Sequence, residues 1–203
     1  MSSVAAKKGR LFIISAPSGC GKTTLCKKLL EDDPGLVHSV SVTTRPPRKG
    51  ERAGIDYRFV SKKSFEKMIA NGEFLEYEEN FGHLYGTPKR FIHDRLKQGK
   101  AILLSIDVKG AMKVRAAFPK ESIQIFILPP SIAALKRRLN ARMTDDAQDV
   151  STRLKLAKKE ISCKAMYDYR VINDSLDNAY RRLKKIIVQE SEITRGYGRK
   201  ICP

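Results

Sequence analysis

Hydrophobic residues along this chain follow two alternating patterns. Four short runs are continuously apolar: residues 11–14, 101–106, 123–128 and 171–172. Apolarity without alternation marks strands buried on both faces, as in a parallel sheet. Between these runs the apolar positions recur at helical spacing. Leu25, Leu29 and Leu30 give one apolar face. Residues 108–118 read as a helix closed by Pro119, and Ser131 as the N-cap of a helix carrying Ile132, Leu135 and Leu139. Leu176, Ala179, Tyr180, Leu183, Ile186 and Ile187 form the strongest helical stripe. Strands alternating with helices predict an α/β fold, a parallel sheet flanked by helices with right-handed crossovers. A site in such a fold lies at the carboxyl ends of the strands.

Two stretches break the pattern. Residues 39–86 hold a β-like segment at 40–44, a loop rich in Pro, Arg and Gly at 45–54, and a second segment at 57–60. A helix with Phe65, Met68 and Ile69 follows, then strand-like residues 73–77 and 84–85. This predicts a small β-rich insertion with a lobe of its own. Thr87 and Pro88 then read as N-cap and first residue of the next helix. The second stretch, 140–151, is polar, lies between two helices and carries or adjoins Arg142 and Arg153. Such a segment suits a lid. There is no internal repeat and no low-complexity segment, and both chain ends are basic.

Composition narrows the partners. The 203 residues are 41% hydrophobic, enough for a buried core. Lys and Arg number 40 against 22 acidic residues, a net charge of +18. That balance fits either nucleic acid or highly anionic small substrates. The basic residues are dispersed as pairs such as Lys27-Lys28, Lys158-Lys159 and Lys184-Lys185, so they read as solvated helix faces. Cys20, Cys26, Cys163 and Cys202 lack metal-ligand spacing, and the three histidines are scattered. Reduced thiols in a cytoplasmic protein are the simplest expectation. No apolar run reaches the ~18 residues that span a bilayer, and residues 1–10 contain no secretory apolar region.

The chemistry concentrates after the first apolar run, in Ser15-Ala16-Pro17-Ser18-Gly19-Cys20-Gly21-Lys22-Thr23-Thr24. Strand, small-residue turn and Lys-Thr at a helix start make a nest of backbone N–H groups for phosphate. Gly19 and Gly21 permit positive φ and close approach of an anion. Lys22 reaches β- and γ-phosphates in such loops, and the hydroxyl of Thr23 is placed to ligate Mg²⁺. Cys20, at a helix N-terminus, is either a reactive thiolate or an inert small residue.

With these pieces placed, the sequence resembles guanylate kinase of the bacterial type, a P-loop nucleoside monophosphate kinase. The resemblance runs from about residue 10 to 190. It rests on 15–23, on Ser41-Val42-Thr43-Thr44-Arg45-Pro46-Pro47-Arg48, on Tyr57, Glu76, Tyr85-Gly86-Thr87 and Ile106-Asp107, and on residues 127–131 and 171–174. It implies a core at 10–37 and 87–190, a GMP-binding lobe at 38–86 and a lid at 140–152, with basic tails at 1–9 and 191–203. It implies transfer of the γ-phosphoryl group of ATP to GMP, with dGMP a further candidate, and with Mg²⁺ as cofactor. ATP falls on residues 16 to 24, namely Ala16, Pro17, Ser18, Gly19, Cys20, Gly21, Lys22, Thr23 and Thr24, together with Asn173. GMP falls on Ser41, Arg45, Arg48, Tyr57, Glu76, Tyr85, Thr87 and Asp107. Lys22, Arg138, Arg142 and Arg153 are the implied catalytic cations.

The residue types agree. Arg45 and Arg48 can clamp a dianionic phosphate as guanidinium forks. A carboxylate such as Glu76 matches the adjacent N1–H and N2–H₂ donors of guanine. Lid arginines supply charge to a moving phosphoryl group. Three departures stand out. Ser105 occupies a place where relatives often carry an acidic residue, which alters the surroundings of Mg²⁺. Ala141 and Met143 flank Arg142 where Gly is usual, and Ala16 replaces the first loop Gly. Rival readings are a phosphopeptide-binding module of the same fold, a nucleic-acid binder, and a kinase for AMP or UMP. Retention of Lys22 and Thr23 opposes the first. The absence of an RNA- or zinc-binding motif opposes the second, and Glu76 with Asp107 opposes the third.

Overall fold

The computed structural model describes residues 9–141 and 147–193. In chain order the elements are β1 (Arg10–Ser15), α1 (Lys22–Asp32), β2 (Leu36–His38), β3 (Val42–Thr43), β4 (Arg58–Phe59), α2 (Lys62–Ala70), β5 (Phe74–Asn80), β6 (His83–Pro88), α3 (Lys89–Lys97), β7 (Ala101–Ser105), α4 (Val108–Ala117), β8 (Ser122–Leu128), α5 (Ile132–Asn140), α6 (Ala147–Ser162), β9 (Tyr169–Ile172) and α7 (Leu176–Ile193).

The main sheet has the order β2-β7-β1-β8-β9, and every pairing is parallel. Its continuous apolarity has a direct cause. Phe12 and Ile14 of β1 face a core built with α1, α5, α6 and α7, whereas Leu11 and Ile13 face a second core built with α3 and α4. The same alternation divides Leu103 from Ile102 and Leu104, and Ile125 and Ile127 from Phe126. Strands β1, β7 and β8 thus bury both sides, at roughly 25 cal/mol per Å² of apolar surface. The edge strand β9 buries Val171 but leaves Arg170 and Ile172 exposed, so the expectation of a strand buried on both faces fails at 171–172. The predicted N-cap at Ser131 is present, with its hydroxyl accepting from the Ala134 amide.

The smaller sheet runs β4-β3-β6-β5. It covers a compact core of Val42, Phe65 and Met68, with Phe65 stacked on Phe74 at 4.5 Å. One expectation shifts here. Thr87 and Pro88 end β6, paired to Glu76 and Phe74 of β5, and α3 opens one residue later than expected, with Pro88 as its N-cap and Lys89 as its first residue. The Thr87 hydroxyl donates to Glu76 instead of capping a helix. Pairing across the sheet outweighs the local N-terminal signal. Strand β2 was not foreseen, because three residues ending in His38 carry too little periodicity.

Candidate functional site

The phosphate loop joins β1 to α1 as expected. Gly19 and Gly21 adopt φ of 86° and 82°. Gly21 caps α1 without a side-chain hydrogen bond, so no side chain occupies the helix N-terminus in place of an anion. The loop is braced from below by Asn173, which is buried and donates from Nδ2 to the Cys20 carbonyl at 2.8 Å. A Cβ on Gly21 would approach that nitrogen to 2.5 Å, so glycine is required twice over. Arg138 donates to the Asn173 carbonyl at 3.0 Å. Cys20 itself is fully buried in the larger core, which puts its thiol out of reach of solvent and removes the reactive alternative. Cys26 is also buried, and burial pushes its thiol up to about 11.

Lys22 donates from Nζ to the Ile106 carbonyl at 3.0 Å. Burial lowers its pKa, against the opposing pull of Cys26, Asp107 and Glu160. Glu160 is the counterpart: burial raises it to about 7, Lys22 draws it down, and Asp107 raises it further. Thr23 and Thr24 are exposed at the start of α1.

Ser18 and Lys22 share a cavity of about 420 Å³ with residues of the smaller sheet and its loops. Ser41, Arg45, Arg48, Tyr57, Glu76 and Tyr85 line its other side, and Asp107 and Arg153 complete it. Residues more than a hundred positions apart thereby face one space. Thr23, Thr24, Arg138 and Asn173 stand outside this lining, and Thr87 lies behind Glu76. Arg142 lies outside the described residues.

Glu76 is 7% exposed, and burial raises its pKa to about 7. The Thr87 hydroxyl and Lys113 lower it, while Asp107 and Glu78 raise it. The carboxylate fits because Gly110 lets α4 come close. A Cβ there would meet Glu76 Oε2 at 2.7 Å. Asp107 caps α4, accepting from the Gly110 amide at 2.8 Å through Oδ1, and takes the Asn80 amide on Oδ2.

Arg45 is 8% exposed. Its Nη2 donates to both oxygens of Glu51 at 2.9 Å, and Nη1 donates to the Pro46 carbonyl at 2.7 Å. Glu51 Oε2 also accepts from the Arg48 amide at 2.8 Å. The Tyr57 and Tyr85 rings meet edge to face at 6.0 Å, and the Arg45 guanidinium lies 5.5 Å from the Tyr57 ring. Glu51, Asn80, Gly110 and Glu160 were missed from the sequence. Only Glu51 offered a signal, as an acid three residues after Arg48.

A family model described as Guanylate kinase matches residues 8–190. The chain belongs to the guanylate kinase family. A guanylate kinase from Neisseria meningitidis serogroup A is 48% identical over 181 residues, covering 89% of this chain and 88% of that one. Another, from Carboxydothermus hydrogenoformans, is 43% identical over 183 residues, covering 90% and 89%. The crystal structure of guanylate kinase from Anaplasma phagocytophilum superposes with a TM-score of 0.78 at 38% identity, covering 91% of this chain and 87% of that one. The parallel sheet flanked by helices is therefore the P-loop kinase fold of this guanylate kinase family. No helix among the described residues is long and apolar enough to cross a membrane.

Proposed function

We propose that this chain transfers the γ-phosphoryl group of ATP to GMP, forming GDP and ADP. One observation carries the reading: a single cavity joins the phosphate-loop Lys22 to a buried carboxylate, Glu76, and an arginine pair, Arg45 and Arg48. An oxygen of the GMP phosphate attacks the γ-phosphorus, and the bond from that phosphorus to the β–γ bridging oxygen breaks. There is little covalent work for the protein, so positioning and charge carry the catalysis.

Residues 16–24 cradle the ATP phosphates, and Asn173 serves them by fixing the loop from below. Lys22 leaves the Ile106 carbonyl for the phosphates. Arg45 and Arg48, with Tyr57 and Tyr85, hold the GMP phosphate. Glu76 accepts from guanine N1–H and N2–H₂, oriented by Thr87, while Ser41 and Asp107 complete the base site. Arg138, Arg142 and Arg153 neutralise charge on the moving phosphoryl group. The smaller sheet with α2 is the GMP lobe, and the segment around 140–152 is the lid.

Among the described residues no cluster of three or more His, Cys, Asp or Glu could hold a metal. An exposed Thr23 hydroxyl beside a phosphate loop instead fits Mg²⁺ held largely by ATP oxygens. The ion supplies charge neutralisation when bound. We place the enzyme in the cytoplasm, with its nucleotide substrates.

The test is ADP production with GMP, dGMP, AMP, UMP or CMP as acceptor. GMP is expected to be strongly preferred over AMP, UMP and CMP. In the Lys22→Ala variant kcat is expected to fall by ~10²–10³-fold. Equal turnover of AMP and GMP would overturn the reading.

A further inference from the structure

The β5–β6 hairpin closes through two residues, Phe81 and Gly82, between the paired Asn80 and His83. Both adopt positive φ, 51° and 73°. Two-residue hairpin loops of this kind favour Asn-Gly, because the first central residue must enter the left-handed region. Phenylalanine is poorly suited to it, and Phe81 is the sole non-glycine residue with positive φ among those described. Burial does not offset the strain, since the side chain is 57% exposed. A strained, exposed aromatic at the rim of a site points to a functional constraint.

What the ring touches is informative. The Arg153 guanidinium, on α6, lies 5.4 Å from the Phe81 ring centroid, and both residues line the nucleotide cavity. Asn80, one residue earlier, donates to the Asp107 carboxylate at the start of α4. One turn therefore reaches the core through Asn80 and the lid-side helix through Phe81.

We propose that Phe81 is a positioning residue, whose ring holds the Arg153 guanidinium over the nucleotide cavity and couples the hairpin lobe to that arginine. This rests on the reading of Arg153 as a cation for the transferring phosphoryl group. A ring face suits the task. It attracts the planar cation through its quadrupole but accepts none of its N–H groups in conventional hydrogen bonds, and it adds no negative charge. The ring also narrows the rotamer freedom of a long side chain before the phosphate arrives. Because Phe81 belongs to the β5–β6 hairpin of the lobe, movement of the lobe around GMP carries the ring, and the arginine with it.

The experiment is single-turnover phosphoryl transfer at saturating ATP and GMP, with steady-state KM for ATP and thermal midpoints measured alongside. The variants are Phe81→Asn, Phe81→Trp, Arg153→Ala and the Phe81→Asn/Arg153→Ala double. Phe81→Asn creates the favoured Asn-Gly loop, so its thermal midpoint is expected to hold or rise. Its transfer rate is expected to fall by about three- to thirtyfold, with KM for ATP unchanged. Phe81→Trp keeps a ring face and is expected to stay within about twofold of the parent. In the double variant, loss of Phe81 is expected to add nothing to loss of Arg153. A parental rate in Phe81→Asn, with Arg153→Ala impaired, overturns the positioning role and spares the reading of Arg153. A parental rate in Arg153→Ala overturns that reading and the coupling together. Multiplicative losses in the double, or a Trp variant as slow as the Asn variant, also overturn the proposal.

Discussion

Glu76 holds its proton up to about pH 7 because it is buried, and Asp107 adds to that effect. Its identity as a candidate guanine reader came from the sequence, by resemblance. Its unusual acidity did not, since it arises from residues brought together by folding. Two consequences follow for Glu76→Gln. Guanine needs two acceptors at this edge, and Gln turns a donor toward one N–H, so kcat/KM for GMP is expected to fall by on the order of 10²-fold. The preference for GMP over AMP should shrink with it. An unaltered preference would remove Glu76 from base recognition. The parent's KM for GMP should rise as pH falls below about 7, as the carboxylate takes up a proton, and the Gln variant should lack that rise. Stability moves the other way. The folded pKa is raised from 4.5 to about 7, so the folded state binds the proton more tightly than the unfolded chain. The carboxylate therefore costs stability increasingly between those values and fully above them. Gln retains an acceptor for the Thr87 hydroxyl. Its thermal midpoint should exceed the parent's at about pH 8 and match it more closely at about pH 5.

At the scale of elements, local signals worked where the decisive contacts are local. Ser131 caps α5 because its hydroxyl reaches an amide three residues ahead. The phosphate loop was legible because strand, glycines and Lys-Thr are contiguous. The start of α3 lies one residue beyond the local signal, because Thr87 answers to Glu76 across a ladder, eleven residues away. Helix α4 gives a further test. Gly110 sits in its first turn, where alanine would favour the helix by about 1 kcal/mol. A Cβ would, however, meet Glu76 Oε2 at 2.7 Å, and the free end of that side chain is what must move. Gly110→Ala should leave the thermal midpoint near the parental value and raise KM for GMP by about tenfold, with KM for ATP unchanged. A parental KM for GMP would show that the carboxylate can shift without loss of binding.

Across the whole molecule, the core and the smaller sheet meet where Leu75 packs on the second core and through a few polar ties. Lys27 pairs with Asp56 at 2.6 Å, Lys113 with Glu78 at 2.6 Å, and Asn80 with Asp107. Sparse polar ties of this kind suit a lobe that moves around a ligand. Amide exchange over α6 should slow weakly with ATP or GMP alone and strongly with an analogue joining both. Unchanged exchange with that analogue would exclude α6 from closure. Part of the net charge of +18 is concentrated here, since Lys22, Arg45, Arg48 and Arg153 face one cavity, the one proposed for the anionic nucleotides. The sequence by itself determined the α/β class, the three central buried strands and the phosphate loop. Each is written in periodicity or in adjacent residues, and the strand must be apolar on both faces wherever helices cover both. Only the tertiary structure decided which charges offset one another. Asn173 beneath the phosphate loop, Gly110 against Glu76 and Phe81 against Arg153 are meetings of separate elements, and Glu51 reaches Arg45 only through the folded course of one loop. Their energies depend on distance and burial, which no spacing along the chain encodes.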